Sequence, residues 1–146
     1  MDIADKLEEL QEDGKFLGRE GTFVAKIYVG AYDTEEDFTR PVAEIKEACQ
    51  FYVNDVGLCV NVRDTWYSYS DGSGSGGNEP GAVVELIQYP RFPKSTDEIV
   101  IKALDLAEIL MDRMNQKRVS VVTSNYDTYT LQNPTHSDVE TSQDHS

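Results

Sequence analysis

Histidine decides first what chemistry this chain can do. The only two, His136 and His145, fall in a C-terminal stretch expected to be tail, so the domain before it is expected to hold none. That removes Ser-His-acid and Cys-His nucleophilic pairs and the common zinc sites. Cys49 and Cys59 read as buried apolar fillers. Any reaction would fall to carboxylates, Tyr, Lys or Arg; no catalytic residue, metal ligand or cofactor is assigned. Binding chemistry concentrates in Tyr89-Pro90-Arg91-Phe92-Pro93-Lys94. Arg91 and Lys94 stand just before a helix start, where free amides and the dipole favour an anion. Phe92 or Tyr89 could stack on a flat ring, as could Tyr67 or Tyr69 at a strand end, with Arg118 a further cation. The same string also reads as a rigid turn with one aromatic tucked into the core.

Two other segments invite chemical readings. Asp33, Glu35, Glu36 and Asp37 offer oxygens to a hard cation, but they lack the spacing of a calcium loop, and a solvated acidic loop is the expectation. The run Asp71 to Gly81 is rich in Gly and Ser but has no Lys and precedes a strand, so it is no phosphate loop. It reads as a mobile hairpin loop or a flap.

Periodicity supplies the elements that must position these residues. Residues 1–14 hold a short amphipathic helix with Ile3, Leu7 and Leu10 on one stripe, which must dock to be stable. Residues 15–131 form one α+β domain. Phe23, Ala25, Ile27 and Val29 alternate as a half-buried strand; Val42, Ile45, Cys49, Tyr52 and Val56 trace a helix ending at Gly57. Strands follow at Leu58 to Tyr67 and Ala82 to Tyr89. Ser95 with Glu98 gives a capping box for the strongest helix, with Val100, Ala103, Leu104, Ala107, Leu110, Met111 and Met114 on its apolar face and Ile99, Leu106 and Ile109 widening it. A last strand carries Val119 and Val121, and a hairpin around Asn125 could extend it to Leu131. The order predicts a ferredoxin-like β-α-β-β-α-β antiparallel sheet, spatial order 4-1-3-2, with an extra N-terminal helix. Residues 132–146 read as a disordered acidic tail.

The two sheet faces differ. One packs on the helices; the other shows Val24, Lys26, Tyr28, Arg63, Thr65, Tyr67, Glu85, Ile87, Tyr89, Ser120 and Val122. That set is too apolar to stay wet, so the N-terminal helix or a second copy is expected to cover it, making a homo-oligomer. The formal charge of −14, from 27 acids against 13 Lys and Arg, argues against direct nucleic-acid binding. No stretch is long and apolar enough for a membrane span, and two cysteines suit a reduced, cytoplasmic protein.

The strings from Gly81 to Pro93 and from Gln116 to Val121 resemble small accessory proteins of phages and prophages, some of which counter host defence. One such class, the anti-Thoeris sponges, sequesters nucleotide signals without cleaving them. That resemblance implies Arg91, Phe92 and Arg118 as ligand contacts and the host cytoplasm as location. Arg91 and Arg118 lie at opposite sheet ends, so a joint site needs two subunits. The expectation is therefore a non-enzymatic protein holding a small anionic or nucleotide-like ligand. The alternatives are an acidic interaction module or DNA mimic inhibiting a host enzyme, and a metal-dependent enzyme using Asp33, Glu35 or Asp37.

Overall fold

Alternating apolar residues build a five-stranded sheet, and two helices cover one side of it. The computed structural model describes residues 2–17, 22–88 and 94–136. In chain order these form α1 (Ile3–Glu12), β1 (Val24–Gly30), β2 (Tyr32–Asp33), β3 (Phe38–Thr39), α2 (Ala43–Val56), β4 (Val60–Ser70), β5 (Gly76–Ile87), α3 (Thr96–Arg113), β6 (Arg118–Thr123) and β7 (Thr128–Gln132). The sheet runs β4-β5-β1-β6-β7 with every neighbour antiparallel, and β2 and β3 pair as a separate small ribbon. This is a mixed α+β fold. It adds to the expected four strands the edge strand β7, the hairpin extension expected around Asn125, and the short strands β2 and β3, which flank the acidic turn at 34–37.

The core is one layer between sheet and helices. Ala25, Ile27 and Val29 of β1, Val84 and Leu86 of β5, and Val119 and Val121 of β6 meet Ile45 and Cys49 of α2 and Leu106 and Leu110 of α3. Along α3 the inner face centres on Ile99 and Leu106, two of the three residues expected to widen the stripe, while the third, Ile109, is exposed. Ile99 and Leu106 are fully buried while Val100 and Leu104 are only half-buried, because α3 contacts both the sheet and α2. Ser95 and Glu98 close the capping box as expected, each side chain accepting from the other's amide.

Three features shape the end of the sheet at which β1 stops. First, β4 and β5 outrun β1: its ladder with β5 ends at Gly30–Gly81, yet β4 and β5 stay paired out to Ser70–Gly76. Residues 76–80, expected in a loop, are strand. Second, α3 ends in a Schellman turn. The Gln116 amide donates to Met111 and the Asn115 amide to Asp112, with Asn115 in the left-handed region at φ 50°. Third, the chain stays packed past residue 131. His136 is buried, its Nε2 lying 3.3 Å from the Asn115 carbonyl, so the folded part does contain a histidine. Away from that end, the helix α1 has its Asp2 cap, none of its residues is buried against the described residues of this chain, and Ile3 is 75% exposed.

Candidate functional site

Two carboxylates stand on the sheet face away from the helices, and their surroundings give them opposite properties. Glu85 is shared by Asn61 Nδ2 at 2.8 Å, Arg63 at 3.1 Å and Lys26 at 3.5 Å. The Asn61 hydrogen bond, aided by the two cations, outweighs burial and holds this carboxyl below the ordinary range. Its charge is already answered.

Glu79 is different. It sits opposite Tyr67 in the β4–β5 ladder, two residues beyond the end of the β1 pairing. Its Oε2 accepts from the Tyr32 amide at 3.0 Å, and no cation pairs with it among the described residues. Burial pushes its pKa up, and the Tyr32 amide only partly offsets that. Its Oε1 lies 2.8 Å from the point that a Cβ on Gly30 would occupy, and Gln116 Oε1 lies 2.9 Å from the same point. The corner therefore depends on glycine at position 30.

Neighbouring Gly81 is needed more strictly, because backbone rather than the ends of side chains stands in the way. A Cβ there would fall 2.4 Å from the Val29 carbonyl oxygen and 2.6 Å from Tyr67 Cε2. The Tyr67 ring uses that space, and its hydroxyl donates to the Ala82 carbonyl at 2.8 Å. Burial pushes the phenol up to about 12, so it stays a neutral donor at any ordinary pH. Tyr28, close enough to act electrostatically on the Tyr67 phenol, also lines a 500 Å³ cavity with Val24, Lys26, Ile87 and Val122 on the same face. Tyr28 thus stands between that hollow, which lies toward the start of β1, and the corner where Glu79, Gln116 and Tyr67 gather at its end.

Gln116 is held from behind. Its Nε2 donates to the Tyr32 carbonyl at 2.8 Å and the Met114 carbonyl at 3.0 Å, which fixes the amide orientation and turns Oε1 toward Gly30. The turn that delivers it is tied down by Asp33. That buried carboxylate accepts from Asn115 Nδ2, from the Glu35 and Glu36 amides, and from Arg40 Nε and Nη2 at 3.0 and 2.8 Å. Burial works against its charge, but the Glu36 amide, Asn115 and Arg40 together leave the pKa lowered. Asp33 is thus spent as a structural anchor rather than a cation ligand. Among the described residues no group of three or more His, Cys, Asp or Glu could hold a metal.

The residues expected to bind are scattered. Arg91, Phe92 and Tyr89 lie outside the described residues. Lys94 follows the C-terminal end of β5, where its carbonyl accepts from Gln88 Nε2, whereas Arg118 begins β6 at the opposite end and donates to Gln132 Oε1 at 3.5 Å. Tyr69 folds over Gly77 and is largely exposed. Of the expected set, Tyr67 alone stands at the Glu79 corner. Sequence reasoning misses Glu79 and Gly81 because they sit in an apparent loop, Gln116 because it sits in a helix-to-strand turn, and Gly30 because it only closes the first strand. The register of Glu79-Pro80-Gly81 against the first strand is the one available clue.

No family model and no curated protein sequence matches the chain. Two solved structures do. A phage SAM lyase in complex with S-methyl-5'-thioadenosine matches with TM-score 0.64 at 18% identity, over 83% of this chain and 98% of that one. A phage SAM lyase in the apo state matches with TM-score 0.62 and the same identity and coverage. The fold is shared with a phage enzyme. The resemblance to small phage proteins holds at that level. The expectation of a non-enzymatic, sequestering protein is corrected by the same finding, since the fold it shares is that of a lyase. No helix among the described residues is long and apolar enough to cross a membrane.

Proposed function

We propose that the chain is a lyase acting on a sulfonium nucleoside of the S-adenosylmethionine type, with its site at the Glu79 corner. The observation that carries this reading is Glu79 itself: a half-buried carboxylate without a cation partner among the described residues, beside Tyr67, in a fold matching nearly the whole of a phage SAM lyase. Such a substrate bears positive charge at its sulfur and at its ammonium group. Carboxylates and aromatic faces are the groups that receive cations, and a chain of net charge −14 draws them in. This replaces the anionic ligand expected from Arg91, Lys94 and Arg118. The hollow bordered by Tyr28, Val24, Ile87 and Val122 supports a place for the flat base. The sheet and its two helices support a ferredoxin-like arrangement extended by β7.

The chemistry asks little of the protein. Breaking the bond between sulfur and the amino-acid arm sends the electron pair to sulfur, giving a neutral thioether, S-methyl-5'-thioadenosine. A lyase adds no water, so the carbon left behind takes an electron pair from within the arm. The protein's part is to bind and orient, with Glu79 and the neutral Tyr67 hydroxyl as fixed polar groups. Incubation with S-adenosylmethionine should release S-methyl-5'-thioadenosine, followed by liquid chromatography. Glu79→Gln, which keeps an acceptor for the Tyr32 amide, should cost about 10- to 100-fold in kcat/KM, the range for one lost charge-assisted contact. Release no faster than the spontaneous rate overturns the reading.

A further inference from the structure

The hairpin between β6 and β7 holds a tyrosine in a backbone shape that suits other residues better. Tyr126 has φ 71°, in the left-handed region, where a Cβ crowds the following carbonyl and only Gly or Asn is at ease. Asn125 stands one position earlier, so the residue that tolerates this shape sits beside the position that demands it. The turn leaves little room to relax. The Tyr126 amide donates to the Thr123 carbonyl at 3.0 Å, the Thr123 amide to Asp127 at 2.9 Å and the Ser124 amide to Val24 at 2.9 Å. The Val24 amide donates back to Ser124 Oγ at 3.0 Å, which ties the hairpin to the start of β1. Burial does not offset the strain: the Tyr126 side chain is 95% exposed, and no hydrogen bond joins its hydroxyl to a described residue.

What the turn achieves is position. Tyr126 borders the 500 Å³ hollow that Tyr28 also lines, with Val24, Ile87 and Val122 supplying apolar surface from the sheet. Tyr28 is held within β1 between two paired strands, whereas the Tyr126 ring is free to turn at the rim. Apolar surface with one aromatic in the wall and a second at the edge suits a flat ring. We propose that Tyr126 is a ligand-binding residue that closes over this hollow and stacks on the purine of the nucleoside. This deepens the proposed reading and rests on its nucleoside part. Ser124 also lines the hollow, and its hydroxyl, which accepts from Val24, still has a hydrogen to give to a ring nitrogen.

The test is titration calorimetry with adenosine, which carries the base but neither the sulfur nor the amino-acid arm, with melting curves alongside. Tyr126→Asn removes the ring and places a tolerant residue at the left-handed position. It should bind adenosine about 10-fold more weakly, the effect of one lost base–aromatic stack, yet melt no lower than wild type. A tyrosine with only a structural role would not give that combination. Tyr126→Phe keeps the ring and should bind as wild type does. Equal affinity of Tyr126→Asn and wild type overturns the stacking role, as does a Tyr126→Asn protein that melts well below wild type. A wild-type chain that does not bind adenosine overturns it too. The lyase reading fails separately. Adenosine bound through Tyr126 by a chain that releases no S-methyl-5'-thioadenosine keeps the base site and removes the lyase. Release with the same KM in Tyr126→Asn as in wild type keeps the lyase and removes the base site.

Discussion

Gly81→Ala puts the geometry of the corner to its sharpest test. The added Cβ would stand 2.4 Å from the Val29 carbonyl oxygen and 2.6 Å from Tyr67 Cε2. The first obstacle is backbone at the end of the β1–β5 ladder, which cannot step aside without breaking pairing at Gly30–Gly81. The second is a ring whose hydroxyl is bound to Ala82. Overpacking of a tight site costs about 1–3 kcal/mol, and loss of the Tyr67 hydrogen bond adds about 1 kcal/mol. A total of about 2–4 kcal/mol in a chain of this length lowers Tm by roughly 6–12 °C. Gly77→Ala is the matched control. Its Cβ would meet the Tyr69 hydroxyl at 2.9 Å and ring carbons at 3.1 and 3.3 Å, all on a largely exposed side chain that can swing aside. That variant should melt within about 2 °C of wild type. Differential scanning calorimetry of both reads the comparison directly. A Gly81→Ala protein melting alongside Gly77→Ala would refute the packing of Tyr67 over the glycine and, with it, the shape assigned to the corner.

Two further outcomes concern charge. Asp33 has a lowered folded pKa, so its contribution to stability is present above the unfolded value and is lost as pH falls through the lowered one. Asp33→Asn should therefore cost about 3 kcal/mol at neutral pH in urea unfolding, by leaving Arg40 unanswered, and should flatten the acid limb of stability below about pH 4. Glu79 has the opposite sign. Its folded pKa is raised, so its ionised form works against the fold, and Glu79→Gln should melt no lower than wild type at pH 7 while losing activity. In the wild type kcat/KM should fall, as pH is lowered, at a higher pH than an ordinary glutamate would give, and that limb should vanish in Glu79→Gln.

Whatever a single period governs is legible in the sequence. Ala25, Ile27 and Val29 alternate because one face of β1 is buried, and Ser95 with Glu98 marks a helix start through local hydrogen bonds alone. The strand over residues 76–80 breaks those rules. Its glycines and Pro80 signal a loop, but Pro80 turns its carbonyl to the Ala31 amide just beyond the last β1 pair, where no ladder donor is required of it. The inner face of α3 shifts toward Ile99 and Leu106 because two neighbours share it. The site is less legible still. Glu79, Gly30 and Gln116 come from three distant segments, and only the sheet register and the turn after α3 bring them together. His136 reads as tail because its polar neighbours hide a contact with the Asn115 carbonyl that no periodicity announces.

The unequal lengths of β1 and β5 have a mechanical consequence. Past Gly81 no third ladder strand among the described residues pairs with the β4–β5 ribbon. The ribbon is tied near its root by the Ala31 amide on the Pro80 carbonyl and the Tyr32 amide on Glu79, so its tip is freer than Glu79 to tilt about the Gly30–Gly81 pair as a pivot. At about 3.3 Å per residue, Glu79 sits roughly 7 Å from that pivot and Gly76 roughly 17 Å from it. A tilt of about 10° then moves the tip by about 3 Å but Glu79 by only about 1 Å, while Gln116 rides on the body of the sheet and does not move with it. The spacing between Glu79 and Gln116 is thus geared down from the motion of the ribbon. Residues 71–75 at the tip can be lengthened, shortened or gripped with large amplitude there and only fine adjustment at the corner.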